Sequence, residues 1–200
     1  MSTSSRTHGL ATRIVLLVSL LTIGSAPSFA QRGNQTIDAH AFGTSTQMGR
    51  NVGVRLIIYE FSSPEDRDLL VQAFQKGQNE GLVNALSNMK TVGRIQIPGT
   101  LGFDVSYIAE ILTPTGRQIR FVTNRRIAFG EALWDTRSRS FDLTAGQFNI
   151  DDQSRSKSDG VLYPAAQLVI NKDGDLEFNL NQNAWRLANI IEWNRPSGQQ

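Results

Sequence analysis

The sequence predicts an α+β fold, in which a mostly antiparallel curved sheet forms a sandwich or a partial barrel with one N-terminal helical hairpin packed on it. Two observations support this prediction. The clear helical signals lie in residues 63–89, and the chain beyond Met89 consists of short alternating apolar and polar runs separated by turns. Residues 184–193 fit either a strand or a helix, and a strand is predicted there. Strands that are segregated from helices in this way are typical of α+β folds.

The first 30 residues have the pattern of a secretory signal peptide. Arg6 and Arg13 come first, the apolar run 14–23 reaches only ten residues, and small residues lead to Ala30. A membrane-spanning helix needs roughly 20 apolar residues. The sequence therefore predicts cleavage after Ala30, a periplasmic or extracellular location, and no transmembrane segment in the mature chain.

Charge and cysteine content narrow the function classes. The chain has 20 basic and 18 acidic residues, and the first 30 residues hold two arginines and no acid, so residues 31–200 have 18 of each and no net charge. Nucleic acid is therefore not the expected partner, because its binding depends on an excess of basic residues. The chain has no cysteine, which excludes disulfides and thiolate chemistry.

The rest of the chain is expected to form a single domain. Residues 31–50 are polar and show no period, which predicts a flexible leader that contains His40. Residues 51–193 are expected to fold as one α+β domain, and residues 194–200 as a tail.

The helical hairpin follows a strand predicted at 52–61. Ser63 is a good N-cap and Pro64 suits the first helical position, while Gly77 indicates a break before a second helix that ends near Met89. Each helix has one apolar stripe that needs a sheet to cover it.

The strands after the hairpin are predicted from alternation and turn residues. In one of them, the apolar positions change parity near Gly146, which indicates a bulge. The predicted strands are 93–97, 103–112, 118–123, 127–134, 141–150, 162–170, 176–180 and 184–193.

Catalytic and cofactor motifs are missing from the sequence. There is no nucleotide-binding glycine motif and no zinc-binding histidine pair, and His40 is the one histidine of residues 31–200, so no catalytic residue, metal site or cofactor is predicted. Three acids near the centre of the chain, Glu110, Glu131 and Asp135, leave a carboxylate-dependent hydrolase as an alternative.

A cluster of arginines is the main candidate for anion or partner binding. Arginine side chains suit carboxylate, phosphate and sulfate groups, although charged residues also protect exposed strand edges. The cluster comprises Arg117, Arg120, Arg125, Arg126, Arg137 and Arg139.

Five segments resemble a family of secreted bacterial proteins of unknown function. They are 64–67, the helix pair through Gly77 and Leu86, 92–95, 98–103 and 123–129, and together they span roughly residues 52–180. The last segment departs from the family pattern, because Asn124 and Arg126 stand where the family has an acid and a proline. The resemblance implies export and a single α+β domain, and it implies no activity.

Taken together, these patterns favour an exported, non-catalytic envelope or secreted binding module. Its partner would be an unknown ligand or protein, with an anionic one suggested by the arginines. The alternatives are the carboxylate-dependent hydrolase and a carrier that holds a small apolar ligand inside a curved sheet.

Overall fold

The computed structural model describes residues 34–44, 51–126, 142–179 and 184–195. Within these ranges the chain forms one α-helical element, α1 (Pro64–Asn88), one short 3-10 helix (Arg155–Lys157) and eleven strands. The strands are β1 (Gln35–Phe42), β2 (Asn51–Ile58), β3 (Gly93–Gln96), β4 (Phe103–Val105), β5 (Tyr107–Thr113), β6 (Gly116–Val122), β7 (Ala145–Asp151), β8 (Asp159–Tyr163), β9 (Leu168–Ile170), β10 (Leu176–Phe178) and β11 (Trp185–Trp193).

The main sheet is strongly curved. Nine of the described strands follow the order β4-β3-β2-β1-β11-β8-β7-β6-β5, and all neighbours are antiparallel. The two end strands, β4 and β5, are consecutive in the chain and only Ser106 separates them. One bent stretch of chain therefore borders both ends of the sheet, which forms a nearly closed, barrel-like structure. The predicted mostly antiparallel curved sheet is confirmed.

Apolar side chains fill the inside of the barrel. Phe121 and Phe148 stack there with ring centroids 6.0 Å apart. The Phe121 ring packs directly on Gly146, where a Cβ atom would lie only 2.5 Å from the ring. All strands of the main sheet contribute to this core, including Ile37, Leu56, Ile95, Val105, Ile108, Ile119, Leu162 and Leu187. A ligand inside the sheet would have to displace these side chains, so the interior is a core and not the apolar ligand site that the carrier alternative requires.

The helical element covers part of the outer face of the barrel. Ser63 caps it as predicted, with its hydroxyl accepting from the Asp66 N–H while the Asp66 carboxylate accepts from the Ser63 N–H. The backbone leaves helical geometry at Gly77 and Gln78. Buried helix residues pack against the sheet and the β9–β10 hairpin, and they are Leu70, Phe74, Leu82 and Leu86.

The prediction of a flexible leader is wrong for β1. This strand lies between β2 and β11 in the centre of the sheet, and Ile37 and Ala41 are fully buried. Two of its inward positions, Ala39 and Ala41, are alanines, so the apolar alternation is weak in the sequence. The two neighbouring strands supply the hydrogen bonds that hold it. His40 lies on this strand.

The predicted bulge near Gly146 is also wrong. β7 keeps a continuous register with β6 from Ala145 to Asp151, and Leu143 precedes the strand, which explains the change of parity. The register shifts instead between β1 and β11, next to Asn189, whose φ is +54°. The prediction of a strand at 184–193 is confirmed by β11.

Candidate functional site

A cavity of about 890 Å³ lies between α1, the outer face of β5 to β8, and the small β9–β10 hairpin. Most of its wall is apolar. The helix contributes Leu70, Leu82 and Leu86, the sheet contributes Val122 and Val161, and the hairpin contributes Leu168, Leu176 and Phe178. Cavities of this size and composition are typical of sites for small molecules.

Three connections hold the cavity walls together. The Ser62 N–H donates to the Ile108 carbonyl at 2.7 Å, which fixes the start of the helical element against β5. The Asn79 side-chain oxygen accepts from the Leu168 N–H at 3.2 Å, and Arg67 forms an ion pair with Asp175. The β9–β10 hairpin is thus attached to both halves of the helical element.

Arg120 supplies a positive charge on the sheet side of the cavity. It lies on the outer face of β6, where its Nε donates to the Gln147 side-chain oxygen at 2.8 Å. One terminal nitrogen is 3.5 Å from the Gln118 side-chain oxygen, which is a weak contact. In the described part of the chain its partners are therefore neutral amides, and no carboxylate forms an ion pair with it.

Two tyrosines add hydroxyl groups to the cavity lining. Burial raises the pKa of the Tyr107 hydroxyl, and the positive charges of Arg67 and Arg120 partly oppose this rise. Burial also raises the pKa of Tyr163, whose ring centroid lies 5.1 Å from that of Phe178. Both hydroxyls are therefore protonated at neutral pH and can donate hydrogen bonds.

The structure separates Arg117 from Arg120, although the two arginines share β6. Arg117 points into the barrel, where its side chain is only 3% exposed and forms ion pairs with Glu110, at 2.7 Å, and with Glu192. The Gln35 amide also donates to Glu192, at 2.5 Å. Arg117 is therefore held by internal carboxylates and is not part of a surface with Arg120.

The remaining arginines of the cluster are scattered. Arg125 is exposed and its Nε donates to the Asn124 side-chain oxygen at 3.3 Å, whereas Arg126 forms an ion pair with Asp142 at 3.3 Å. Arg137 and Arg139 lie outside the described residues. The alternative of a solvated strand edge does not fit β6, because this strand pairs with β5 on one side and β7 on the other.

The acids proposed for hydrolysis are not brought together in the described residues. The Glu110 carboxylate is engaged by Arg117. Glu131 and Asp135 lie outside the described ranges, as do the predicted strand 127–134 and residues 196–200 of the predicted tail. Arg195, just before those residues, forms an ion pair with Asp152 at 2.7 Å.

Arg120 was predicted from the sequence as a candidate binding residue, but the cavity that it lines was not predicted. Tyr107 and Val122 lie on the outward face of β5 and β6, opposite the interior residues Ile108 and Phe121. Apolar or aromatic residues on both faces of one strand indicate that both faces are covered. That signal could have predicted a covered outer face here.

Within the described ranges, no three histidine, aspartate or glutamate side chains converge as a metal site. The helical element of the same ranges is not long and apolar enough to cross a membrane. Comparison of the chain with models of known families, with curated proteins and with solved structures found no match.

Proposed function

We propose that this chain is an exported, non-catalytic binding module that holds a small molecule in the cavity between α1 and the outer face of the barrel. The observation that carries the proposal is the composition of this cavity. Its wall is largely apolar. Of its two arginines, Arg67 is paired with Asp175, whereas the partners of Arg120 in the described residues are neutral amides. Apolar walls with few oriented polar groups are characteristic of ligand sites.

The proposal includes a helical hairpin as the outer wall of the cavity. Non-helical backbone at Gly77 and Gln78 supports a sharp reversal between the two halves of α1. A Cβ at Gly81 would overlap the carbonyl oxygen of Ala73, which supports close contact between the halves. Leu70 from the first half and Leu82 and Leu86 from the second then face the same cavity.

A binding role is favoured over hydrolysis by the state of the acids near the cavity. Glu110 is paired with Arg117, and Asp175 is paired with Arg67. Because the oxygens of these two carboxylates already contact guanidinium groups, they are not free to act on a substrate as a catalytic pair. The carboxylate-dependent hydrolase is the alternative proposal, and it would rely on Glu131 and Asp135.

Export is proposed from the N-terminal sequence alone. The basic start, the ten-residue apolar run and small Ala30 support cleavage and a periplasmic or extracellular location. The balanced charge of residues 31–200 favours a ligand of small size over nucleic acid.

Native mass spectrometry tests the binding proposal. The protein is purified gently from its host, and a reproducible extra mass that is lost on denaturation is expected. Val161→Trp places a large ring in the cavity and is expected to abolish the extra mass. The matched control is Val169→Trp, because Val169 is partly exposed on the neighbouring hairpin and does not line the cavity. An extra mass that survives in Val161→Trp would contradict this location.

A further inference from the structure

From the proposed binding function, we infer the chemical class of the ligand: a small amphipathic acid with an apolar chain and a single carboxylate, whose carboxylate pairs with Arg120. The apolar chain would lie along the helix and hairpin walls. The inference rests on the contrast between the cation at the sheet and the apolar wall that surrounds it.

Arg120 differs from most described arginines in the partners that it has. Six of the others form ion pairs with carboxylates of this chain, and they are Arg55, Arg67, Arg94, Arg117, Arg126 and Arg195. Arg120 is held instead by the amide oxygens of Gln147 and Gln118. A guanidinium has five N–H donors, so these two contacts leave donors for a further acceptor.

The amide contacts orient the guanidinium without neutralising it. Gln147 is itself held by Asn149, since its amide nitrogen donates to the Asn149 side-chain oxygen at 2.7 Å. A row of neutral side chains along β7 therefore positions the Arg120 fork. An oriented guanidinium matches the two oxygens of a carboxylate, and hydrogen bonds of this charged pair are stronger than neutral ones.

Charge balance at the cavity favours a single negative charge. Arg67 is the other arginine of the lining, and its charge is matched by Asp175. Glu177 also lies in the lining, and its carboxylate would repel a dianion more strongly than a monoanion, whereas Glu110 is already paired with Arg117. A phosphate monoester is therefore a poorer fit than a carboxylate. Tyr107 lines the same cavity and offers a hydroxyl donor as a further contact for the carboxylate.

The apolar part of the ligand is inferred from the remaining lining. Leu70, Leu82 and Leu86 lie on the helix side, and Leu168 and Phe178 lie on the hairpin side. Each methylene group that such walls remove from water contributes about 0.8 kcal/mol to binding. A cavity of about 890 Å³ has room for a chain of ten or more carbons.

Calorimetric titration with decanoate and 1-decanol tests this inference. The two ligands share the apolar chain and differ in the carboxylate. The protein is first stripped of bound lipid on a hydrophobic resin, and circular dichroism verifies that it remains folded. Because the carboxylate contact is charge-assisted, the wild-type protein is expected to bind decanoate about tenfold or more tightly than 1-decanol.

Arg120→Gln supplies the matching change in the protein. It is expected to weaken decanoate binding about tenfold or more and to leave 1-decanol binding unchanged. Arg120→Lys keeps the charge and is expected to retain part of the affinity. Arg155→Gln removes one positive charge from an exposed position outside the lining and is expected to change neither affinity.

The outcomes separate the two proposals. Equal affinities for decanoate and 1-decanol, both lost in Val161→Trp, would overturn the carboxylate inference and leave the binding proposal standing. Binding of neither ligand to the stripped wild-type protein would overturn the carboxylate inference. An extra native mass in the unstripped protein that depends on Val161 would still support the cavity as a binding site for another class of ligand.

Discussion

The side chains on the inner and outer faces of β6 lie in two different environments. On the inner face Ile119 and Phe121 are fully buried, and the one charged residue, Arg117, is neutralised by Glu110 and Glu192. On the outer face Arg120 lines a cavity and contacts only neutral amides among the described residues. The inner face pairs its buried cation with carboxylates of the chain itself, whereas the outer face keeps a cation available for a ligand.

The largest expected effect on stability comes from replacing Arg117 with glutamine, and the same replacement at Arg120 is its control. Arg117→Gln leaves two largely buried carboxylates without their cation, so we expect it to lower the free energy of unfolding by about 3–5 kcal/mol. Arg120→Gln removes a partly exposed side chain with neutral partners, and we expect a loss below about 1 kcal/mol. Urea unfolding of both variants measures the difference. Equal losses would break the distinction between the two faces.

A smaller effect is expected in the helical cover of the outer face. Gly81→Ala places a methyl group against the Ala73 carbonyl, so we expect a loss of about 1–3 kcal/mol in the free energy of unfolding. Gly77→Ala is the matched control, because nothing lies within 4 Å of its Cβ position, and we expect a change within about 0.5 kcal/mol. Thermal or urea unfolding verifies this. A neutral Gly81→Ala would contradict close contact between the two halves of α1.

The start of the helical element and most strands could be predicted from the sequence, because their signals are local. Ser63 and Pro64 mark a helix start, and the alternation in β5, β6 and β11 marks strands. β1 was not predicted, since two of its inward residues are small alanines and one of its two partner strands, β11, lies near the other end of the chain. Hydrogen bonds to a strand that is distant in the chain leave no pattern in the local sequence of β1.

The candidate site was predictable only in part. The sequence singled out Arg120 for its charge, and the outward direction of its side chain followed from alternation along β6. The ion pair that Arg117 forms with Glu192 was not predictable, because Glu192 is 75 residues away in the chain. The cavity itself depends on how α1 and the β9–β10 hairpin sit on the sheet, and such packing between distant segments is not encoded in any one stretch.

The most direct test of the claim that ligand binds outside the barrel is a methyl NMR titration with decanoate. Isoleucine, leucine and valine methyl groups report on both faces at once. We expect shifts at Leu82, Val161 and Leu168, which line the cavity, and no change at Leu56 and Ile119, which fill the interior. Shifts confined to the interior residues would contradict the account, since they would show that the ligand enters the core.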